Sequence, residues 1–154
     1  EINSSNLNEK NYALNLAEWI SNVPLMYYPS GLQSAAVRFK NSMQENAKTH
    51  TIIENVVEAS HNGVVAWEKP TKVQPILLQG ADDYIKTKER WKILKEFFNE
   101  KDIIYKEVFS KDGSILSKLV CLIYQLDFTS IYNAVLSGID PSPVDSIDFI
   151  KSKL

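Results

Sequence analysis

The chain has 154 residues, 44% of them hydrophobic and 23% charged, which is enough for one compact domain with a real core. A formal net charge of −2 gives no electrostatic case for nucleic acid or an anionic membrane as partner. The single cysteine, Cys121, cannot form an internal disulfide, so a reducing, cytoplasmic setting is expected. The start shows no signal-peptide pattern, and it opens on Glu1 rather than Met, compatible with a piece of something longer.

In chain order, Asn3 to Asn8 is polar and reads as frayed. Tyr12, Leu14, Leu16, Trp19 and Ile20 recur at helical spacing, and this first helix ends by Asn22. Val23 to Tyr28 is a short apolar run before the turn signal Pro29-Ser30-Gly31, and reads as a buried strand. An amphipathic helix follows, with Leu32, Ala35, Ala36, Phe39, Met43 and Ala47 on one face and Ser34, Arg38, Asn41 and Glu45 on the other. Ile52 to Val57 is a short strand or an irregular segment, and Val64 to Trp67 reads as another strand. Pro75 to Gln79 is a further strand. After it Asp82 or Asp83 would cap a long helix carrying Tyr84, Trp91, Leu94, Phe97 and Phe98 inward.

Ile103 to Phe109 is a third strand before the turn Lys111-Asp112-Gly113. Ser114 to Ser137 is helical and apolar on most sides, so it is expected to be packed by several neighbours. Asp127 and Thr129 could break it in two, and Gly138 closes it. Its most apolar stretch, Leu119 to Leu126, is too short to span a bilayer. In the last element, Ser142 is placed as cap, Pro143 at the first helical position and Asp145 three residues after the cap. Val144, Ile147, Ile150 and Leu154 form its expected buried stripe, with Lys151 leaning towards it and Lys153 away. Alternating strands and helices of these lengths point to a single α/β domain with a parallel sheet covered on both faces.

For chemistry, the composition is sparse. Two histidines, one cysteine and scattered acids show no metal-ligand spacing, and the five glycines form no phosphate-loop or dinucleotide pattern. Pro29-Ser30-Gly31 could offer free backbone N–H groups to an anion, or be an ordinary strand-to-helix connection. Glu45 could be a solvated helix carboxylate, His61 a turn residue before Asn62-Gly63, Lys151 a surface lysine, and His50 has only the bland reading. A carboxylate and an imidazole are nonetheless the groups an enzyme uses to move protons near neutral pH.

Three stretches carry a family resemblance. Ala35 to Asn41 leading into Glu45-Asn46-Ala47-Lys48 is similar to R-[WF]-K-N-Q-x-N-E-N-A-K. Glu58 to Asn62 is similar to P-E-x-x-H-N. Gly138 to Val144, with Ile147 and Lys151 following, is similar to G-x-D-P-[ST]-P-V-x-x-I-x-x-[LF]-K. Together they resemble the C-terminal half of the bifunctional phosphoglucose/phosphomannose isomerases, which are built from two sugar-isomerase (SIS) domains.

The resemblance implies a three-layer α/β/α SIS domain with a mainly parallel five-stranded sheet over residues 1–154. It implies an aldose–ketose isomerase that interconverts glucose 6-phosphate and mannose 6-phosphate with fructose 6-phosphate through a cis-enediol, with no metal or organic cofactor. Glu45 would move the proton between C1 and C2. His61 would help open the sugar ring across a homodimer interface, and Lys151 would assist at the ring oxygen or the enediolate. Arg38, Ser30 and Gly31 are the candidate substrate-binding residues.

Some positions depart from the pattern: Gln44 stands where the family has Asn, Val57 replaces a proline, and Gly63 replaces an acid. The N-terminal SIS domain, which in the family supplies the Ser/Thr-rich phosphate loop, is absent from this chain. The isolated chain is therefore expected to be inactive. The alternative is a non-catalytic SIS module that binds sugar phosphate and serves a partner protein.

Overall fold

A computed structural model describes residues 5–8 and 10–154; the frayed start expected from Asn3 lies partly outside them. Helix α1 (Tyr12–Trp19) leads to strand β1 (Val23–Tyr28), and a 3-10 turn (Ser30–Leu32) runs into α2 (Gln33–Asn46). Strand β2 (Ile52–Asn55) is followed by the one-turn α3 (Val56–Ala59) and a 3-10 segment (Gly63–Glu68). Then come β3 (Val73–Gln79), α4 (Ile85–Glu100), β4 (Lys106–Phe109), α5 (Ile115–Leu136) and α6 (Asp145–Lys151).

The strands form one parallel sheet in the order β2-β1-β3-β4, four among the described residues where five were expected. The fourth strand is followed directly by α5 and α6, so the described residues supply nothing to extend the sheet beyond β4. Strand alternation divides the core into two layers. Met26, Tyr28, Ile76, Leu78 and Val108 face α1, α2 and α5, packing with Phe39, Met43, Leu122 and Leu126. Leu25, Tyr27 and Leu77 face α3 and α4, packing with Val56, Trp91, Leu94 and Phe98. The result is the α/β/α sandwich, with a doubly covered sheet explaining why β1 and β3 read as continuous apolar runs.

Several expectations need correction. Val64 to Trp67 is a 3-10 segment, not a strand: only Trp67 of it is buried, and its indole Nε1–H donates to the Tyr27 hydroxyl at 2.8 Å. Asp82 and Asp83 do not cap α4. Asp83 instead accepts from the Gly80 N–H and the Trp91 Nε1–H, each at 3.0 Å, and Tyr84 is exposed. Helix α5 runs unbroken through Asp127 and Thr129, because Asp127 is engaged by Arg38 and Ser42 and Thr129 Oγ1 donates back to the Gln125 carbonyl.

Its 22 residues are long and apolar enough to cross a membrane by length and composition. One side packs on α1 and α2. Ile115, Leu116, Val120, Tyr124, Ile131 and Val135 are exposed, so neighbours do not surround it as expected. Cys121 is exposed as well. Gly138 does end the helix, at φ 68°, a conformation that favours glycine.

The last element departs most. Helix α6 starts after Val144, with no side-chain cap, so Ser142 and Pro143 lie outside it. Among the described residues none of α6 is buried, and Ile147, Phe149, Ile150 and Leu154 are exposed. Among the described residues, only Val144 of the expected stripe is half-buried, and the rest of it is exposed.

Candidate functional site

Helix α2 is the element that places the candidate acid. Its apolar face is buried as the spacing predicts, which turns Arg38, Asn41 and Glu45 outward. The helix stops after Asn46, and Lys48 takes up a left-handed backbone, φ 54°. That turn points the Lys48 side chain back, where its Nζ donates to the carbonyls of Glu45 (2.6 Å), Pro143 (2.7 Å) and Pro141 (3.4 Å). The ammonium thus lies within hydrogen-bond reach of three carbonyls, two of them in the segment that leads to α6.

That segment is folded locally by Asp140, whose Oδ1 accepts the Ser142 N–H at 2.9 Å. The bonds from Ser142, with a lesser effect from Lys48, hold the Asp140 carboxyl below its ordinary range. Between α2 and the start of α6 lies a shallow cavity of about 230 Å³ lined by Gln44, Glu45, Lys48, Pro143, Val144 and Ile147. Glu45 is exposed on its rim. Lys151, the last residue of α6, is exposed and not part of that lining.

His61 stands elsewhere. It follows α3 by one residue beyond Ser60, its backbone N–H donates to the Glu58 carbonyl at 2.9 Å, and its side chain is exposed. Helix α3 packs in the α4 layer, whereas α2 lies in the opposite layer, so one chain does not bring His61 to Glu45. Just past His61, Gly63 leaves room for the Glu54 carboxylate: a Cβ there would stand 2.6 Å from Oε2 and 2.8 Å from Cδ. Burial, with the Glu58 charge adding, raises the Glu54 carboxyl above its ordinary range.

Ser30 and Gly31 lie at the other end of α2. At 1.5 Å per residue, the 14 residues of the helix put them about 20 Å from Glu45. They line a cavity of about 460 Å³ at the carboxyl ends of β1 and β3, where the chain leaves in opposite directions, a customary ligand position in open α/β sheets. Ser30 Oγ accepts from Asn55 Nδ2 at 3.0 Å.

The same cavity holds Lys118, a buried cation that no motif or spacing in the sequence singles out. It is paired with the exposed Asp82, whose carboxyl it holds below the ordinary range. Arg38 is turned away from both cavities. Its guanidinium grips Asp127 through Nε (3.0 Å) and Nη2 (3.0 Å), and Ser42 Oγ donates to the same carboxylate at 2.6 Å, tying α2 to α5.

Comparison with known proteins supplies the family. Residues 9–154 match the model of the bacterial phospho-glucose isomerase C-terminal SIS domain. The chain is 31% identical over 153 residues to a bifunctional phosphoglucose/phosphomannose isomerase of Caldicellulosiruptor bescii, covering 95% of this chain and 45% of that protein. It is 27% identical over 135 residues to the bifunctional phosphoglucose/phosphomannose isomerase of Aquifex aeolicus, covering 86% and 42%. The chain therefore spans less than half the length of these curated relatives.

Among solved structures, a glucose-6-phosphate isomerase like protein from Thermus thermophilus superposes with a TM-score of 0.69 at 23% identity, over 88% of this chain and 47% of that one. The tagatose-6-phosphate ketose/aldose isomerase of Escherichia coli superposes with a TM-score of 0.63 at 10% identity, over 87% and 42%. These likenesses establish the fold, and the sequence match establishes the kinship: this chain belongs to the bacterial phospho-glucose isomerase C-terminal SIS domain family.

Proposed function

We propose that this chain is the base-bearing half of an aldose–ketose isomerase that interconverts glucose 6-phosphate, and mannose 6-phosphate, with fructose 6-phosphate through a cis-enediol. The observation that carries the reading is the placement of Glu45: an exposed carboxylate on the rim of a cleft whose other wall leads into the helix bearing Lys151. A carboxylate can take a proton from a carbon beside a carbonyl only if cations or donors stabilise the enediolate that forms. In this reading Glu45 moves the proton between C1 and C2, and Lys151 offers the positive charge at the ring oxygen or the developing enediolate. His61, remote from Glu45 within one chain, acts from a second copy in a homodimer to help open the ring. The substrate phosphate is held by groups outside this chain, in an N-terminal SIS domain, so the 154 residues alone are inactive.

The test compares Glu45→Gln with the unsubstituted protein at full length, and with the 154-residue chain, following conversion of glucose 6-phosphate to fructose 6-phosphate. Loss of a general base predicts a fall in turnover of about 10²–10⁴-fold for the variant and no turnover for the chain alone. Undiminished turnover in Glu45→Gln overturns the assignment. Equal phosphosugar binding with no turnover in either full-length form marks the chain as a non-catalytic binding module instead.

A further inference from the structure

The hydrogen bonds around Lys48 join two parts of the chain that are almost a hundred positions apart. Among the described residues, the hydrogen bonds that connect 140–154 to the rest of the fold all run through this one ammonium. Helix α6 has no buried residue to anchor it, and the chain enters the segment through Gly138, in the left-handed region. Packing within this chain therefore does little to fix α6, and polar contact with the rest of the chain must do more.

Two features of Lys48 argue that its side chain is what matters at this position. Its left-handed backbone is one that glycine adopts freely and a side chain adopts at a cost, as Asp102 also does after α4, so what sets Lys48 apart is what its side chain reaches. And its ammonium reaches carbonyls on both sides: the Glu45 carbonyl in the last turn of α2, and the Pro143 and, at longer range, Pro141 carbonyls before α6.

We propose that Lys48 is a latch: a positioning residue that sets the height of α6, and with it Lys151, over the Glu45 cleft. The inference rests on the functional reading above for its consequence in catalysis, though the latch itself stands on the hydrogen bonds alone. It acts through α6 and touches no reacting atom. Removing the ammonium frees α6 to move, so Lys151 no longer meets the substrate at one distance. Turnover then falls while the contacts that hold the rest of the substrate persist.

The experiment uses the full-length protein in two substitutions, Lys48→Met and Lys48→Gly. Nitroxide labels at the exposed positions of Asn41 on α2 and Phe149 on α6, in a Cys121→Ser background, report their separation by pulsed electron resonance. Isomerase kinetics is measured in the unlabelled proteins. A latch predicts a broadened distance distribution in both variants, and kcat lowered by about 100-fold at little-changed KM.

If Lys48 is only a helix stop, Lys48→Gly keeps the narrow distribution and full kcat, and the proposal fails. A distribution that stays narrow in both variants also overturns it. Broadening with unchanged kcat overturns the positioning role. If the unsubstituted protein shows no isomerase activity, the functional reading fails separately, and the distance measurement still decides the latch.

Discussion

Replacing Tyr27 by phenylalanine tests how the segment after His61 is held. The ring is 1% exposed at the centre of the α4-side core, and its hydroxyl accepts the Trp67 indole N–H at 2.8 Å. That bond pins the 3-10 segment that begins two residues after His61. Burial, with the Glu54 charge adding, pushes the Tyr27 hydroxyl up to about 12 from 10.0, against a smaller opposing effect of the Trp67 bond.

A folded-state value above the unfolded one means that folding favours the protonated phenol. The contribution is fully present below pH 10 and is lost as pH rises from 10 towards 12. One unit is worth about 1.4 kcal/mol, so by pH 11 the natural protein forfeits about 1.4 kcal/mol from this group alone. Tyr27→Phe forfeits none of it, but at every pH leaves the Trp67 N–H buried without a partner, a cost of about 1–3 kcal/mol. Urea titrations of both proteins at pH 8 and pH 11, followed by tryptophan fluorescence, give the comparison. Other tyrosines and lysines titrate in the same range, and the difference between the two proteins cancels them. The stability gap should narrow by about 1.4 kcal/mol between the two pH values. A gap that stays constant refutes the buried, protonated Tyr27.

Other consequences follow from the same structure. Because the Glu54 carboxyl is raised by burial, its charged form is disfavoured in the fold. Glu54→Gln should therefore raise stability at pH 7, with the gain vanishing as pH falls through the carboxylate range, as read by thermal melts across pH. Phe98, fully buried, has ring contacts with Tyr27, Trp67, Phe97 and Tyr105, and Phe98→Ala should cost about 3–5 kcal/mol in urea titration. Asn133 donates from Nδ2 to the Ala17 and Ile20 carbonyls at the end of α1, so Asn133→Ala leaves buried carbonyls unpaired. It should cost about 1–3 kcal/mol and speed hydrogen exchange in α1.

How far the sequence could be read depended on whether a side chain's partner lay inside this chain. The inward face of α2 was legible residue by residue, because Ala35, Ala36, Phe39 and Met43 repeat at helical spacing and all meet the sheet. The strands β1 and β3 were legible because both faces of each are covered. Helix α6 defeated the same logic: Ile147, Ile150 and Leu154 are spaced like a buried stripe, and the described residues set nothing over them. The outer side of α5 misled in the same way. Val64 to Trp67 failed for another reason, since four apolar residues fit a strand or a turn of helix and only the Trp67 bond to Tyr27 decides. Glu45 was singled out as the candidate acid by its motif, but spacing could not reveal that the sixteen positions to His61 carry the chain from one layer to the other. Lys48 closes the same motif, but its left-handed backbone and its reach to the Pro141 and Pro143 carbonyls leave no mark in a sequence.

The length of α2 bears on how a substrate could be held. Ser30 and Gly31 offer helix-start N–H groups at one end, and Glu45 offers a carboxylate at the other, about 20 Å away. A hexose phosphate is much shorter than that, so no single molecule can rest its phosphate at the start of α2 and its C1–C2 bond at Glu45 of the same chain. Arg38, midway along the helix, cannot bridge the gap, because Asp127 already holds its guanidinium through two nitrogens. On the proposed reading the phosphate anchor must then face Glu45 from outside this chain, across the side where α6 leaves its apolar residues uncovered. The relatives, each more than twice as long as the segment they share with this chain, have the length to provide such a wall. On the proposed reading, one wall would both cover the exposed stripe of α6 and supply the phosphate anchor.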